Sequence, residues 1–380
     1  MALKRSFALA AAGLAQVAFL TTMSGAPVWA AEYIYGSWAP APTYQNRVVM
    51  PKMFKDIEQA TKGEIKWKVV AGGQIAGPKE SYQAVQDGLL QAAFGVSIYV
   101  PNLVPSTNAL YSALVFDGGA IEATAAQVET LMLNCPSCLA EYKNINMVVM
   151  AGWSAAQYYL SCREPFTKVE DLKGKRIRGT GGPAQLWDLA GATPISATLP
   201  EALTLLQRGG LDCMHNTFTW LKTFGYGDFA KNVIDVPLGA SGPAIGMMIN
   251  YDTWKKFTPA QRTAHMKGAA YASAAEAIED FTIENDKILE EVKKTKDVKM
   301  IKAETAGFKD LIAKFEKVQR ETIVAEAKKF GVANPESILD AYKRNLEKWK
   351  GLTRGLNNDV NKFTDLLWNE VYSKVDVNKL

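Results

Sequence analysis

Histidine is almost absent from this 380-residue sequence, which contains only His215 and His265. No HExxH zinc motif can therefore form, and no GxSxG nucleophile elbow occurs either. The glycine-rich run 179–182 lacks the lysine and hydroxyl residue that complete a phosphate-binding loop. These absences argue against an enzyme, and we expect neither a metal site nor a cofactor.

Long apolar runs are also scarce, and the one present, residues 7–20, directly follows a start that carries Lys4 and Arg5. A charged start, an apolar run and a small-residue site ending at Ala30 are the layout of a secretory signal peptide. The run is short for a membrane-spanning helix, which needs about 20 residues. We therefore expect residues 1–30 to be cleaved off after about Ala30 and the protein to work in the periplasm.

An excess of one charge sign is missing too. The formal net charge of +4 falls to +2 once Lys4 and Arg5 leave with the signal peptide. Nucleic-acid-binding domains usually present a strongly basic face, so we expect no nucleic-acid partner. The hydrophobic share of 48% and the charged share of 22% are typical of a globular protein. The length suffices for two domains.

Only four cysteines occur, and in an exported protein an even number predicts disulfides with three possible pairings. Cys135 and Cys138 have the spacing of a redox pair, but no thioredoxin-like βαβ unit surrounds them, which favours a local structural disulfide. Cys162 and Cys213 lie on two candidate strands, and we expect them to pair. The alternative is an exported thiol-dependent hydrolase that uses Cys213 and His215, which share one strand face.

Two segments of the chain echo each other, residues 78–89 and 200–211. A proline that suits the first helical turn opens each segment, and a glycine that suits the left-handed position ends each helix. Short small or apolar runs follow at 92–96 and 212–214. The echo predicts two related α/β halves, although two unrelated helices could share the same punctuation.

Strands alternate with helices over most of the chain, which predicts βαβ units and a largely parallel core. The expected elements are strands at 33–37, 65–70 and 146–151, helices at 43–61 and 122–139, an apolar return to the first sheet at 246–250, and a long helix at 259–294. A helix as long as the last one could bridge two lobes.

Polar and cationic side chains stand at the ends of two predicted strands, Arg178 on one and Asn216 on the other. Open α/β sheets bind ligands at the carboxyl ends of their strands. A guanidinium group binds a carboxylate through two parallel hydrogen bonds. We therefore predict a cleft for a small anion, anchored by Arg178. Arg176 shares the strand face of Arg178 and is an alternative anchor.

Aromatic side chains are expected around this cleft, because ligand pockets are lined by aromatic groups with a few placed polar ones. We predict that Trp38, Tyr158 and Trp220 line it and favour an apolar or aromatic carboxylate over a polar dicarboxylate. Ser97 completes the set of candidate binding residues. The alternative is that these aromatic residues belong to the ordinary core.

Three segments, DLKGKRIR, LPEALTLLQRGGLD and GGQIAGPKESYQAVQDG, resemble the substrate-binding proteins of tripartite ATP-independent periplasmic (TRAP) transporters. The resemblance runs from about residue 33 to about residue 294. It implies an α/β, two-lobed periplasmic binding protein fold with a long helix bridging the lobes. It also implies capture of a small organic acid and its delivery to a membrane permease, with no catalysis.

The resemblance further implies that Arg178 forms a salt bridge to the substrate carboxylate and that the Asn216 amide contacts the substrate. Where many members carry a second cleft arginine, this chain has Tyr158 and Tyr159. The expected division is a signal peptide at 1–30, lobe I at 31–155 plus 242–281, and lobe II at 156–241 plus 282–380 with the C-terminal helices. The lobes should close by a hinge near Ala155 and Ser241.

Overall fold

A computed structural model describes residues 31–380 of the chain. The predicted signal peptide and its cleavage site lie outside these described residues. Two β-sheets with helices packed around them build the fold, which confirms the predicted α/β class. None of the helices in the described part combines the length and the apolar character that a membrane crossing requires.

The first sheet has five strands in the order β2-β1-β3-β10-β4, numbered along the chain. They are β1 (Ala31–Gly36), β2 (Ile65–Val70), β3 (Ala92–Gly95), β4 (Met147–Trp153) and β10 (Ala244–Asn250). β1 pairs in parallel with β2 and β3, whereas β10 runs antiparallel to both β3 and β4. The expected return of the chain to the first sheet is confirmed.

The second sheet has six strands in the order β11-β9-β5-β8-β6-β7. They are β5 (Tyr159–Cys162), β6 (Arg176–Arg178), β7 (Thr193–Ile195), β8 (Cys213–Asn216), β9 (Asn232–Ile234) and β11 (Lys299–Ile301). Parallel pairs join β6 to β7 and β8, and β9 to β11, but β5 is antiparallel to its neighbours β8 and β9.

The largely parallel core that the alternation predicted is therefore wrong for one strand of each sheet. β5 and β10 are the strands that follow the two short crossings of the chain from one sheet to the other. The chain leaves each sheet at the carboxyl end of a strand. It therefore enters the next sheet at that same edge, and the first strand after each short crossing runs against the others. The chain reaches β11 through a long helical segment instead, and β11 is parallel to β9.

Fourteen α-helices are present in the described part. They are α1 (Met50–Ala60), α2 (Glu80–Gln86), α3 (Pro105–Ser112), α4 (Ala120–Glu129), α5 (Pro136–Asn144), α6 (Gly182–Leu189), α7 (Leu199–Gln207), α8 (Phe218–Thr223), α9 (Tyr251–Lys256), α10 (Pro259–Ala275), α11 (Asn285–Thr295), α12 (Thr305–Lys329), α13 (Pro335–Leu352) and α14 (Val360–Glu370). Wider π-helical turns at Gln45–Val49, Thr130–Asn134 and Glu276–Glu284 extend α1, extend α4 and join α10 to α11.

The two echo segments fold as predicted, into α2 and α7. The Thr198 hydroxyl accepts from the Glu201 amide, and the Glu201 carboxylate accepts from the Thr198 amide at 2.8 Å, which forms a capping box at the start of α7. Glycines with positive φ follow both helices, Gly88 at 77° and Gly209 at 71°. Only glycine adopts this conformation without strain, which explains why a glycine follows each of the two helices.

One predicted helix, 122–139, is wrong because the chain breaks inside it. Cys135 has an extended φ of −125°, and α5 then begins at Pro136. Proline disfavours the helical conformation at the residue before it, so the break is local in origin. The Cys135–Cys138 disulfide closes the first turn of α5. The second expected disulfide, Cys162–Cys213, is also confirmed.

The long helix is confirmed as α10, the π-helical segment Glu276–Glu284 and α11, which follow one another without a break. α10 packs against α1 and β4 on the side of the first sheet. α11 packs against α8, on the side of the second sheet. The helix therefore spans from one sheet to the other.

The C-terminal helices pack mainly on the first-sheet side. α13 contacts α3 and α4, and α14 contacts α10. The buried Glu129 carboxylate of α4 accepts from the Trp349 indole at 2.6 Å and from the Lys348 ammonium at 2.9 Å, both on α13. The predicted lobe boundaries stay a prediction. These contacts place α13 and α14 beside the first sheet, although the prediction assigns both helices to lobe II.

Candidate functional site

A small cavity lies between the two sheets. The volume open to the centres of water molecules inside it is about 70 Å³. Its wall is made by both sheets, by the segments that cross between them and by the long helix. Its aromatic members are Trp38, Tyr44, Phe94, Tyr99, Tyr111, Trp153, Tyr158, Trp220, Phe224 and Phe281. Its polar and charged members are Thr43, Gln45, Arg178, Thr219, Thr223, Ser241, Glu276 and Asp280.

The two crossing segments run side by side along one part of the wall. The Ala155 amide donates to the Ser241 carbonyl at 3.2 Å, and the Tyr158 amide donates to the Gly239 carbonyl at 2.7 Å. The Tyr158 and Ser241 hydroxyl groups are also hydrogen-bonded, at 3.1 Å. The segments that change sheets therefore form a paired ribbon that contributes directly to the cavity.

Arg178 ends β6 and is the cation of the cavity wall. Its side chain is buried, with 7% of the residue exposed. The guanidinium donates from Nε to the Ala197 carbonyl at 3.0 Å and from Nη2 to the Tyr99 hydroxyl at 3.4 Å. Both acceptors are neutral, and none of the ion pairs among residues 31–380 includes Arg178. The positive charge is therefore buried without a compensating carboxylate.

Arg176, the alternative anchor, is already occupied. Its Nη2 pairs with Asp212 Oδ1 at 2.7 Å, and its Nε donates to Asp212 Oδ2 at 3.1 Å. This ion pair lies partly exposed, outside the cavity wall. The alternative is therefore wrong, because the Arg176 guanidinium is already paired with Asp212.

Tyrosines that are buried or half-buried surround Arg178 and stay neutral. Burial raises the pKa of Tyr99 to about 12, although the nearby Arg178 charge opposes this rise. Burial likewise raises the pKa of Tyr158, Tyr111 and Tyr226, with Arg178 again opposing. Neutral hydroxyl groups can donate or accept hydrogen bonds, but they leave the Arg178 charge unbalanced.

His215 is also neutral and lies behind the wall. Burial, and then the charge of Arg178, lower its pKa to about 3. The Trp187 indole donates to His215 Nδ1 at 3.0 Å, which leaves Nε2 protonated. Cys213, two residues away, is bonded to Cys162. The alternative of a thiol-dependent hydrolase built on Cys213 and His215 is therefore wrong, because Cys213 offers no thiolate.

The structure brings four of the six candidate binding residues into the cavity wall: Trp38, Tyr158, Arg178 and Trp220. The Tyr158 and Trp220 rings are 5.7 Å apart, so these two belong to one aromatic face. Trp38 stacks on Phe94 at 4.8 Å. Contact of these four residues with a ligand stays a prediction.

Ser97 and Asn216 are not part of the wall, although both are fully buried. The Asn216 amide nitrogen donates to the Thr217 carbonyl at 2.7 Å, while its Oδ1 has no partner. Ser97 Oγ also lacks a partner. For these two residues a role in binding stays a prediction.

Sequence reasoning missed two acids of the wall, Glu276 and Asp280. Burial, and then the neighbouring Asp280, hold the pKa of Glu276 well above its usual range. Burial also raises the pKa of Asp280. The available signal was the position of Glu276 among small and apolar residues, SAAEAI at 273–278, where a solvent-facing helix would carry more charge.

No group of three or more histidine, cysteine, aspartate or glutamate side chains in the described part of the chain is arranged to hold a metal ion. Two further acids of the same helical segment also act on this pair, Glu279 by raising the pKa of Glu276 and Glu284 by raising that of Asp280.

Comparison with known proteins places this architecture in a family. The family model of bacterial extracellular solute-binding proteins, family 7, matches residues 36–325. The uncharacterized protein YiiZ of Salmonella typhimurium is 27% identical over 183 residues, which is 47% of this chain and 54% of that protein. The match thus spans about half the length of that curated relative.

Solved structures share the fold at low sequence identity. A marine metagenome TRAP solute-binding protein from an unidentified microbe, specific for aromatic acid ligands and solved with 3-hydroxybenzoate, aligns with a TM-score of 0.72 at 20% identity, covering 84% of this chain and 99% of that one. DctP7 of Bordetella pertussis, an extracytoplasmic solute receptor binding pyroglutamic acid, aligns with a TM-score of 0.67 at 17% identity, covering 83% and 100%.

Proposed function

The chain belongs to family 7 of the bacterial extracellular solute-binding proteins, and we propose that it captures a small organic acid anion in the cavity between its sheets, with Arg178 pairing with the carboxylate. The observation that carries this proposal is the buried guanidinium of Arg178, which has only neutral acceptors. Burying a charge is costly unless a partner compensates it. A ligand carboxylate would supply that partner through two charge-assisted hydrogen bonds.

The ligands of the structural neighbours support the same chemistry. 3-Hydroxybenzoate and pyroglutamic acid, each bound by one neighbour, are both small carboxylic acids. The wall that surrounds Arg178 here is largely aromatic, with Trp38, Tyr158 and Trp220 among its members. Such a wall fits an apolar or aromatic acid better than a strongly hydrated one.

We infer that ligand capture closes two lobes about the paired crossing segments near Ala155 and Ser241. Lobe I would comprise residues 31–155 plus 242–281, and lobe II residues 156–241 plus 282–380, with the contacts of α13 and α14 arguing for moving these helices to lobe I. A ligand stabilises the closed state through contacts that need both lobes together. Arg178 ends a strand of the second sheet and its partner Tyr99 lies just after β3 of the first, so the two would form such a contact.

We further infer that the protein works in the periplasm and hands its ligand to a membrane permease. Support for this step comes from the family and from the TRAP solute-binding proteins that share the fold. The charged and apolar pattern of residues 1–30 supports export.

A thermal-shift screen of residues 31–380 against monocarboxylates, dicarboxylates and aromatic acids tests the proposed function. Ligands that bind only the native state raise its melting temperature by mass action. We expect at least one small carboxylic acid to do so, and the corresponding amide or alcohol to have no effect. A flat response to all acids would contradict the proposal.

An aromatic monocarboxylate should bind more tightly than succinate, by about tenfold or more. The second carboxylate of succinate would be desolvated in an aromatic wall that also holds Glu276 and Asp280, with no cation to pair with it. Isothermal titration of 3-hydroxybenzoate and succinate measures the ratio. A clear preference for succinate would overturn the assignment of the wall.

Gly182→Val should lower ligand affinity about tenfold by obstructing closure. A Cβ at Gly182 would overlap the Ser112 carbonyl oxygen of α3, which belongs to the other lobe in the proposed division. Overpacking costs typically about 1–3 kcal/mol, and in the clamp account this cost falls on the closed state alone. Gly351→Val, at a position with open space around it, is the matched control. Equal affinities of the two variants would count against closure at this contact.

A further inference from the structure

Two carboxylic acids of the long helix share the cavity wall with Arg178. Glu276 is 1% exposed and Asp280 is 8% exposed, and both lie on the π-helical segment Glu276–Glu284. Glu276 Oε1 is buried and has no hydrogen-bond partner among the described residues. π-Helical turns are rare and are often found at functional sites. The helix therefore brings an under-satisfied acid pair to the ligand cavity.

No cation of the described residues neutralises this pair. Arg47, whose charge opposes the rise in the pKa of Asp280, forms its ion pair with Glu284. Burial, and then repulsion from Asp280, hold the pKa of Glu276 well above its usual range. The cavity thus presents an unpaired cation at one part of its wall and an unpaired acid pair at another.

Independent features of the same wall point to a ligand between these groups. Trp38 is 4% exposed, and its indole N–H has no hydrogen-bond partner. Trp38 stacks on Phe94 at 4.8 Å, and Phe94 stacks on Trp153 at 5.8 Å, so the wall offers aromatic faces beside the polar groups. Buried polar groups are normally satisfied, and the faces of such rings attract cations.

We propose that the ligand is a zwitterion, which places its carboxylate on Arg178 and a cationic nitrogen on Glu276 and Asp280. This inference rests on the proposed function, since it assumes an organic acid at Arg178. An ammonium N–H would satisfy Glu276 Oε1 and balance the acid pair, while the aromatic faces would stabilise its charge. A plain acid leaves the pair unsatisfied.

Matched ligand pairs separate a cationic nitrogen from a neutral donor on the same skeleton. The probes are phenylglycine against mandelate, proline against pyroglutamate, and alanine against lactate, each titrated by calorimetry at pH 7. Hydrogen bonds to charged groups contribute about 1.5–3 kcal/mol, so the cationic member of the best-binding pair should bind at least about tenfold more tightly.

Glu276→Gln should reverse that preference. The substitution keeps the size of the side chain but removes the acid that balances a cation. The zwitterion should therefore lose about tenfold in affinity, while the hydroxy acid or lactam keeps or gains affinity. Asp280→Asn is the second variant, and both are checked for native thermal unfolding. Glu290→Gln makes the same substitution at an exposed site on α11 and should change neither affinity.

Two outcomes would overturn the inference while leaving the proposed function intact. One is that mandelate, pyroglutamate or lactate binds as tightly as its cationic counterpart in every pair that binds. The other is that Glu276→Gln and Asp280→Asn weaken both members of a pair equally. Failure of the proposed function looks different, because then none of the six probes binds or Arg178→Gln leaves every affinity unchanged.

Discussion

Arg178→Gln should lower the affinity for the acid ligand at least about 30-fold, because truncating one partner of a buried hydrogen-bonded charge pair costs about 2–5 kcal/mol. Glutamine keeps one donor for the Ala197 carbonyl but loses the charge and the fork. The unliganded protein should be no less stable than the wild type, because the variant removes a buried charge that has only neutral partners.

Arg176→Gln is the matched control, since it removes the same side chain from the same strand. Its guanidinium is bound to Asp212 and lies outside the cavity wall. We expect its ligand affinity to stay within about twofold of the wild type, because exposed ion pairs contribute little. Equal losses in Arg176→Gln and Arg178→Gln, measured by calorimetry, would show that the effect is structural.

Removal of the Cys162–Cys213 disulfide should be the most destabilising change outside the cavity. The double variant Cys162→Ala/Cys213→Ala frees a chain segment with a sequence separation of 51 residues. Loop-closure entropy of the unfolded chain then predicts a loss of about 4 kcal/mol. Urea unfolding, followed as a shift of the midpoint at constant slope, measures this loss.

The Cys135–Cys138 disulfide provides the internal control. It is also buried, but its sequence separation is only 3 residues. The same entropy argument gives about 2 kcal/mol for Cys135→Ala/Cys138→Ala. A larger loss in this variant than in Cys162→Ala/Cys213→Ala would contradict the unfolded-state explanation and indicate that packing around the sulfur atoms dominates.

Much of the fold could be predicted because local chemistry dictates it. Pro78, Gly88, Pro200 and Gly209 punctuate α2 and α7, and each residue acts through its own backbone preference. Arg178 was found for a similar reason, since a basic strand that ends at a sheet edge places its last side chain at the cleft.

Other features depend on the path of the whole chain and could not be predicted locally. The antiparallel course of β5 and β10 follows from where the chain crosses between the sheets. The packing of α13 on α4 depends on contacts such as that between Glu129 and Trp349, 220 residues apart in sequence. Alternation of strands and helices carries no information about either feature.

The two acids of the cavity wall were not predicted, for a different reason. Glu276 and Asp280 are four residues apart, a spacing that usually marks one exposed face of a helix. Their burial results from the bridging position of the long helix, whose surface faces the cavity at this point. The contrast between Glu276 and the alanine-rich sequence around it was the available clue.

A crystal structure with the best acid from the screen tests the central claim most directly. We predict a carboxylate whose two oxygen atoms lie about 2.7–2.9 Å from the Arg178 guanidinium, as in charge-assisted pairs. The rest of the ligand should lie against Trp38 and Trp220. A ligand bound elsewhere, or one whose carboxylate makes no contact with Arg178 while the guanidinium keeps only Ala197 and Tyr99, would contradict the account.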